Sequence, residues 1–329
     1  MNYKLNCRKL SQTYFLSLFL AAGYFLYKAL NLLPELGLDA LKYRFPSLEG
    51  FLPISSTVGL RYWILTGEFD SIHPAGLTIL LLAIISALLL KRGFCSHICP
   101  IGTISEYAYK IRMHFFKFRV PLPTVLTTFL RIPKYLLLGF LLMAVFIFMS
   151  PIDIAKFIRS PYNIIAEVKM LYFFLEPSTL TIKVLAGLVI LSLLISNFWC
   201  RFLCPYGALL SLFSFFSPVA ISRNKTQCVS CHSCEKACPS QLKITTVQTV
   251  SSAECTICQN CINICPRNAL KIENEIVVKR ALTPQQYSCL LLSIFILGIS
   301  IAMISGHWNS TVLPPYWVKY VPMADMIFH

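Results

Sequence analysis

Eight of the fourteen cysteines form two runs of identical spacing. CVSCHSCEKACP, from Cys228 to Pro239, and CTICQNCINICP, from Cys255 to Pro266, each read Cys-x2-Cys-x2-Cys-x3-Cys-Pro. Thiolates are the ligands of iron–sulfur chemistry. This run is the one that holds 4Fe–4S clusters: three close cysteines wrap one cubane, and the fourth ligates the other cluster of a two-cluster ferredoxin. The expected ligand sets are Cys228, Cys231, Cys234 and Cys265 for the first cluster, and Cys255, Cys258, Cys261 and Cys238 for the second. Crossed ligation would tie both halves into one small βαββαβ-like fold, with a core too small to stand alone. Cluster binding would then supply much of the folding free energy. Structural zinc uses Cys-x2-Cys pairs, but not this spacing followed by proline, twice. A disulfide framework needs an oxidising compartment, and the topology derived below places these cysteines in the cytoplasm. Cys7 and Cys289 match no pattern and read as packing residues.

A second cysteine motif lies upstream, in duplicate. KRGFCSHICPIGTIS carries Cys95, Cys99, Pro100 and Gly102, and SNFWCRFLCPYGALLS carries Cys200, Cys204, Pro205 and Gly207. Each Cys-x3-Cys-Pro-x-Gly follows an apolar stretch, opened by His73-Pro74 in one case and Glu176-Pro177 in the other, with a repeat of about 105 residues. Internal repeats are a common way to build membrane folds. Cysteines at i and i+4 share a helix face, and the following proline disfavours helix in the residue before it. Each sulfur pair is therefore expected on the last turn of its span. Four converging thiolates could hold a third iron–sulfur centre or another thiophilic metal. Two redox-active dithiols, or plain helix packing, are the competing readings.

The elements that must position these cysteines are apolar. Hydrophobic residues make up 56% of the 329, and charged residues only 13%, against about 25% in soluble domains. Five stretches approach the roughly 20 residues of a bilayer-spanning helix, near 13–33, 73–91, 134–150, 181–199 and 287–305. Pro133 and Pro151 bracket the third. The basic chain start (Lys4, Arg8, Lys9) precedes an apolar run without a small-x-small cleavage site, which reads as a retained anchor. If the N-terminus is cytoplasmic, segments 1–12, 91–134 and 200–282 hold 20 Lys and Arg with five acids, and everything else holds nine of each sign. The whole net charge of +15 then lies inside. That is the positive-inside rule, and it removes the need for a nucleic-acid partner. The reading is a multi-pass protein of the bacterial cytoplasmic membrane, with N-terminus and clusters cytoplasmic and the C-terminus outside. Trp63, Tyr172, Trp308, Tyr316 and Trp317 fit an interfacial aromatic belt. Thr103–Phe118, with Tyr107, Ile111 and Phe115 four apart, fits an amphipathic helix on the inner surface.

The fold class expected is thus an α-helical integral membrane protein of about five transmembrane helices. A two-helix repeat fills residues 1–220, an inserted cytoplasmic α+β two-cluster domain 221–281, and a fifth helix with an outer tail 282–329. On these motifs the chain resembles, over roughly 73–270, the membrane polyferredoxins of the NapH/NosR/CcoG type. The resemblance implies electron transfer through cytoplasmic 4Fe–4S clusters, with redox partner proteins and a quinone as donors or acceptors. It lacks the outer flavin-binding domain of NosR-like members and the soluble C-terminal extension of CcoG-like ones, and has one span more than the NapH pattern. The alternative is an assembly factor that reduces a metal such as copper, since soft thiolates favour Cu(I). No Walker loop, dinucleotide fingerprint or zinc-protease motif occurs. A transporter is disfavoured because the spans hold few charges, Lys28 and Lys183 with Lys91 and Lys134 at span ends, and such lysines can snorkel. His73 and His307 at outer span ends, His97 and His232 read as polar-contact residues and not as haem axial ligands.

Overall fold

Apolar stretches become helices here because a backbone away from water must satisfy its own hydrogen bonds. The computed structural model describes residues 7–116, 122–274, 281–310 and 312–327, mostly helix with one small sheet. Three helices are long and apolar enough to cross a membrane: Cys7–Tyr43, Val125–Phe148 and Pro284–Ile304. A fourth crossing arises if Ala166–Leu175 and Thr179–Leu194, bent by 81°, count as one broken span. Pro74–Leu90, at 17 residues, is apolar but shorter. These helices leave large apolar side chains such as Phe140, Ile147, Leu180, Ile296 and Ile304 exposed, as lipid-facing surfaces do.

Two sequence expectations need correction. Pro133 does not start the third segment: the helix runs Thr124–Met143 straight through it and ends in a π-type turn, Ala144–Phe148. Proline inside an apolar helix is tolerated where neighbouring groups satisfy the freed backbone. The far boundary holds, since Ser150 and Asp153 form a reciprocal capping box that starts the next helix at Pro151. The aromatic belt is also only partial. Trp63 and Tyr316 are exposed, but Trp317 and Trp308 are buried among other side chains.

The chain divides into two compact units. One comprises Met1–Leu16, Ala83–Leu138 and Gly187–Phe295, and carries all the patterned cysteines. In it, the Tyr287 hydroxyl donates to the Leu90 carbonyl at 2.6 Å, and the Phe94 and Phe295 rings stack at 5.5 Å. The other comprises Ser17–Leu82, Gly139–Ala186 and Ile296–His329. Its core is built on one face of the first helix, where Ala22, Leu26, Ala29 and Leu33 recur at helical spacing and pack with Ile154, Ile165, Val168 and Trp317. Lys28 reaches the ring of Tyr43 at 4.7 Å.

The small sheet has strands β1 (Val219–Arg223), β2 (Thr249–Val250), β3 (Leu270–Asn274) and β4 (Ala281–Leu282) in the order β2-β1-β3-β4, every pairing antiparallel. Two five-residue helices, Ser233–Ala237 and Asn260–Ile264, pack against each other. The observed order is therefore β-α-β-α-β-β, not βαββαβ: among the described residues one two-residue strand lies between the helices where a hairpin was expected. The amphipathic helix is present as Pro100–Phe116, with Ile101, Ile104, Tyr107, Ile111 and Phe115 along its exposed side. Lys4 and the end of that segment at 117–118 lie outside the described residues.

Candidate iron–sulfur site

Each cysteine run curls because its backbone leaves the right-handed region at matched places. Ser230 and His232 in the first run, and Ile257 and Gln259 in the second, have φ between 46 and 64°. Gln241 and Asn268, each three residues beyond the fourth cysteine, do the same (φ 53 and 49°). Non-glycine residues enter this region at a cost of about 1 kcal/mol or more, so six at equivalent positions mark a backbone held for a purpose. The amides then face the sulfurs: Leu242 N donates to Cys238 Sγ at 3.5 Å and Ala269 N to Cys265 Sγ at 3.4 Å.

The curled runs form two cups. Cys228, Cys231, Cys234 and Cys265 line one, with Arg223, His232 and Arg267. Cys238, Cys255, Cys258 and Cys261 line the other, with Ile221, Ile244, Val250 and Ile257. Each cup thus takes three cysteines from one run and the last cysteine of the other. The cups differ in environment. Cys231 is exposed, and its thiol is lowered by hydrogen bonds from Ser233; that of Cys228 is lowered by the Ser230 amide and Arg223. In the second cup burial raises every thiol, Cys238 up to about 12.

A tetrahedral zinc ion with bonds of about 2.3 Å needs sulfurs roughly 3.8 Å apart. Among the described residues no three cysteine sulfurs lie within 4.8 Å of one another. The cups therefore suit a group larger than a single ion. Four thiolate donors, amide N–H groups directed at sulfur and an apolar lining fit a 4Fe–4S cluster.

The upstream pairs differ from the expected last turn of a span. Pro74–Leu90 stops at Lys91 (φ 54°), and Thr179–Leu194 is followed by Asn197 (φ 53°). Short helices Gly93–His97 and Phe198–Phe202 come next, each carrying the first cysteine of its pair. The second cysteine closes the turn, with Cys99 N donating to Phe94 O at 3.0 Å and Cys204 N to Trp199 O at 2.9 Å. Pro100 and Pro205 then open new helices at the first position, where a missing N–H costs nothing. The glycine of the motif is steric: a Cβ on Gly102 would lie 2.1 Å from the Cys95 carbonyl oxygen, and one on Gly207 3.2 Å from that of Cys200. The repeat is thus structural as well as sequential.

The four upstream thiols lie within electrostatic reach of one another. Burial, then Cys95 and Cys204, push Cys99 up to about 12, and burial with Cys204, Cys99 and Cys95 raises Cys200. Arg92 interacts with Cys95, Cys200 and Cys204, and its Nη1 donates to Glu254 Oε2 at 3.0 Å. Glu254, next to Cys255, also accepts from Lys134 Nζ at 2.6 Å. Burial opposes ionisation of Glu254, but Arg92 and Lys134 prevail and hold its carboxyl down at about 2. Neither this bridge nor the approach of Cys289 to Cys7 was visible in the sequence, where no motif joins the partners. His97 contacts Ser96 and Ser288, and His232 contacts Glu235 and Thr245, as polar-contact residues do.

Comparison with known proteins defines the class. Residues 220–281 match the family described as a 4Fe-4S dicluster domain, and residues 72–123 and 178–224, one stretch per repeat, match that described as a 4Fe-4S binding domain. These are ferredoxin-type 4Fe–4S domains. The chain is 37% identical over 287 residues to the "Putative electron transport protein YccM" of Escherichia coli (strain K12), covering 86% of this chain and 80% of that one, and it belongs to the same family. It is also 30% identical over 190 residues to "Uncharacterized protein MJ0749" of Methanocaldococcus jannaschii (58% of this chain, 68% of that one). "Uncharacterized protein MJ0750" of the same organism is 31% identical over 201 residues (58% and 76%). No solved structure matches the chain.

Proposed function

We propose that this chain is a membrane-embedded electron-transfer protein of the polyferredoxin type, carrying two 4Fe–4S clusters in its cysteine cups. The carrying observation is the composition of the cups, each with three cysteines of one run and the fourth of the other. The relative named for electron transport supports the same role. When bound, the clusters supply reversible one-electron transfer at potentials tuned by hydrogen bonding and exposure. Cys228, Cys231, Cys234 and Cys265 hold the first and Cys255, Cys258, Cys261 and Cys238 the second. Exposed Cys231 places the first cup at the surface, where a soluble redox partner docks. Arg92 and Glu254 link the second cup to Cys95, Cys99, Cys200 and Cys204, which we assign as a shared site for a third iron–sulfur centre. A quinone or an outer partner completes the path. The charge distribution supports five spans in the inner membrane, with the clusters cytoplasmic.

The four upstream thiols also favour the second reading, a factor that reduces copper for a respiratory enzyme. Soft thiolates favour Cu(I), which is the chemistry this reading needs.

Anaerobically purified protein should contain about eight iron and eight sulfide in the eight-cysteine region. Cys265→Ser should damage the first cluster and Cys238→Ser the second, read as separate signals by electron paramagnetic resonance. Four or fewer iron atoms in fully loaded protein, or a serine variant that spares the other run's cluster, would overturn the assignment.

A further inference from the structure

The unit comprising Ser17–Leu82, Gly139–Ala186 and Ile296–His329 contains no cysteine and encloses a set of buried charges. Glu49, His73 and Glu167 are 0% exposed and Asp70 1%. Arg44 Nη2 donates to Glu49 Oε1 at 2.6 Å and to Glu167 Oε2 at 2.7 Å, and its Nε donates to Glu167 Oε1. Trp317 Nε1 donates to Glu167 Oε1 at 3.1 Å, and the Gly76 amide to Glu49 Oε2 at 3.1 Å.

Two features of this set are unbalanced. His73 Nε2 lies 2.6 Å from the Asn163 carbonyl oxygen, an acceptor, so Nε2 carries the hydrogen. Unless it is protonated, Nδ1 offers a lone pair to Glu49 Oε1, 3.5 Å away, with no hydrogen bond closed between them. Two acceptors facing each other in a buried site repel unless something positive lies between them. The second feature is charge. Glu49 and Glu167 share the single guanidinium of Arg44, which leaves one negative charge for a proton or a bound cation to balance where burial makes it costly. Asp70 Oδ2 and Asn163 Oδ1 are buried without partners as well. A Cβ at Gly59 would lie 2.7 Å from Asp70 Oδ2, so a residue without a side chain leaves room for that carboxylate.

We propose that Glu49, His73 and Glu167 bind one divalent first-row metal cation. Their ligand atoms all lie within 4.8 Å of one another, and bonds of about 2.0–2.2 Å require only a modest closure. Lone pairs remain for the purpose. Each carboxylate oxygen offers two, and Glu49 Oε1, Glu49 Oε2 and Glu167 Oε2 each accept one hydrogen bond. Two carboxylates and an imidazole select manganese, iron(II) or zinc over Cu(I), which separates this site from the thiol chemistry. A bound cation supplies that positive charge. Arg44, Trp317 and the Asn163 carbonyl then act as the outer hydrogen bonds that orient metal ligands.

Manganese(II) alone is the probe, because hard oxygen ligands prefer it and thiolates do not. Full-length protein with its clusters intact is mixed with Mn2+, desalted and read by electron paramagnetic resonance. One Mn2+ per chain should be retained, His73→Gln and Glu167→Gln should abolish retention, and Trp317→Phe should weaken binding by about 10- to 100-fold. The iron–sulfur absorbance should stay unchanged in all three. Where a variant fails to fold, wild-type protein decides: Mn2+ should raise its melting temperature by mass action. No uptake and no thermal shift, or folded variants that retain Mn2+ as wild type does, overturn the proposal and leave protons on His73 and Asp70 as the balancing charge.

Discussion

Arg8 shows how much one side chain near the chain start can hold together. It is 3% exposed, donates to the Ser96 carbonyl at 3.1 Å and to Asn260 Oδ1 at 3.2 Å, and forms an ion pair with Glu106. Removing one partner of a buried pair leaves an uncompensated charge, so Glu106→Gln should destabilise the protein by about 3 kcal/mol. The pH dependence has a definite sign. Burial works to raise the Glu106 carboxyl, but Arg8 and Lys110 outweigh it and bring it below its ordinary 4.5. A depressed acid contributes its stability in full above the unfolded value and loses it as pH falls through the folded one. Thermal unfolding of wild type and variant should therefore differ most at neutral pH and converge below about 4.5, the unfolded value. An unchanged difference at acid pH would mean that the pair is not the source.

At the scale of elements, the motif helices are built alike but not equally tightly. A Cβ on Gly102 would meet a backbone oxygen at 2.1 Å, whereas one on Gly207 would meet the flexible tip of Arg92 at 3.0 Å and the Cys200 carbonyl at 3.2 Å. Gly102→Ala should cost at the upper end of the 1–3 kcal/mol typical of overpacking, and Gly207→Ala clearly less. Equal losses in melting temperature would refute the steric account. The cysteine runs were legible in the sequence because local spacing carries their chemistry, and both helical repeats showed their proline and glycine. The breaks at Lys91 and Asn197 were not, since neither residue is glycine and each left-handed turn is imposed by its surroundings. The Arg92–Glu254 bridge spans 162 positions, and Glu49, His73 and Glu167 come from three separate segments. Such partners share no local pattern, so only the folded chain brings them together. Trp317 read as a belt residue because sequence does not distinguish an indole facing lipid from one facing a buried carboxylate.

For the whole molecule, charge is the strongest guide to orientation. The Lys and Arg excess of +15 falls entirely on segments that alternate with the apolar stretches, and such a bias fixes topology during insertion. In intact cells a membrane-impermeant thiol reagent should label Ser310→Cys above the wild-type background and leave Ser222→Cys unlabelled until the membrane is opened. Ser222 lies in β1, beside the cysteine cups, so labelling there from outside would reverse the reading of where the electron carriers face. Exposed apolar residues on the long helices agree with insertion, because a water-facing surface of this kind would aggregate.

The two cups do not present the same face to the world. Cys231 is open to solvent and no cysteine of the second cup is exposed, and sulfur oxidation follows thiolate character and access. Left in air, the molecule ages from the outside inward. On the proposed assignment, a preparation left in air should lose the contents of the first cup before those of the second.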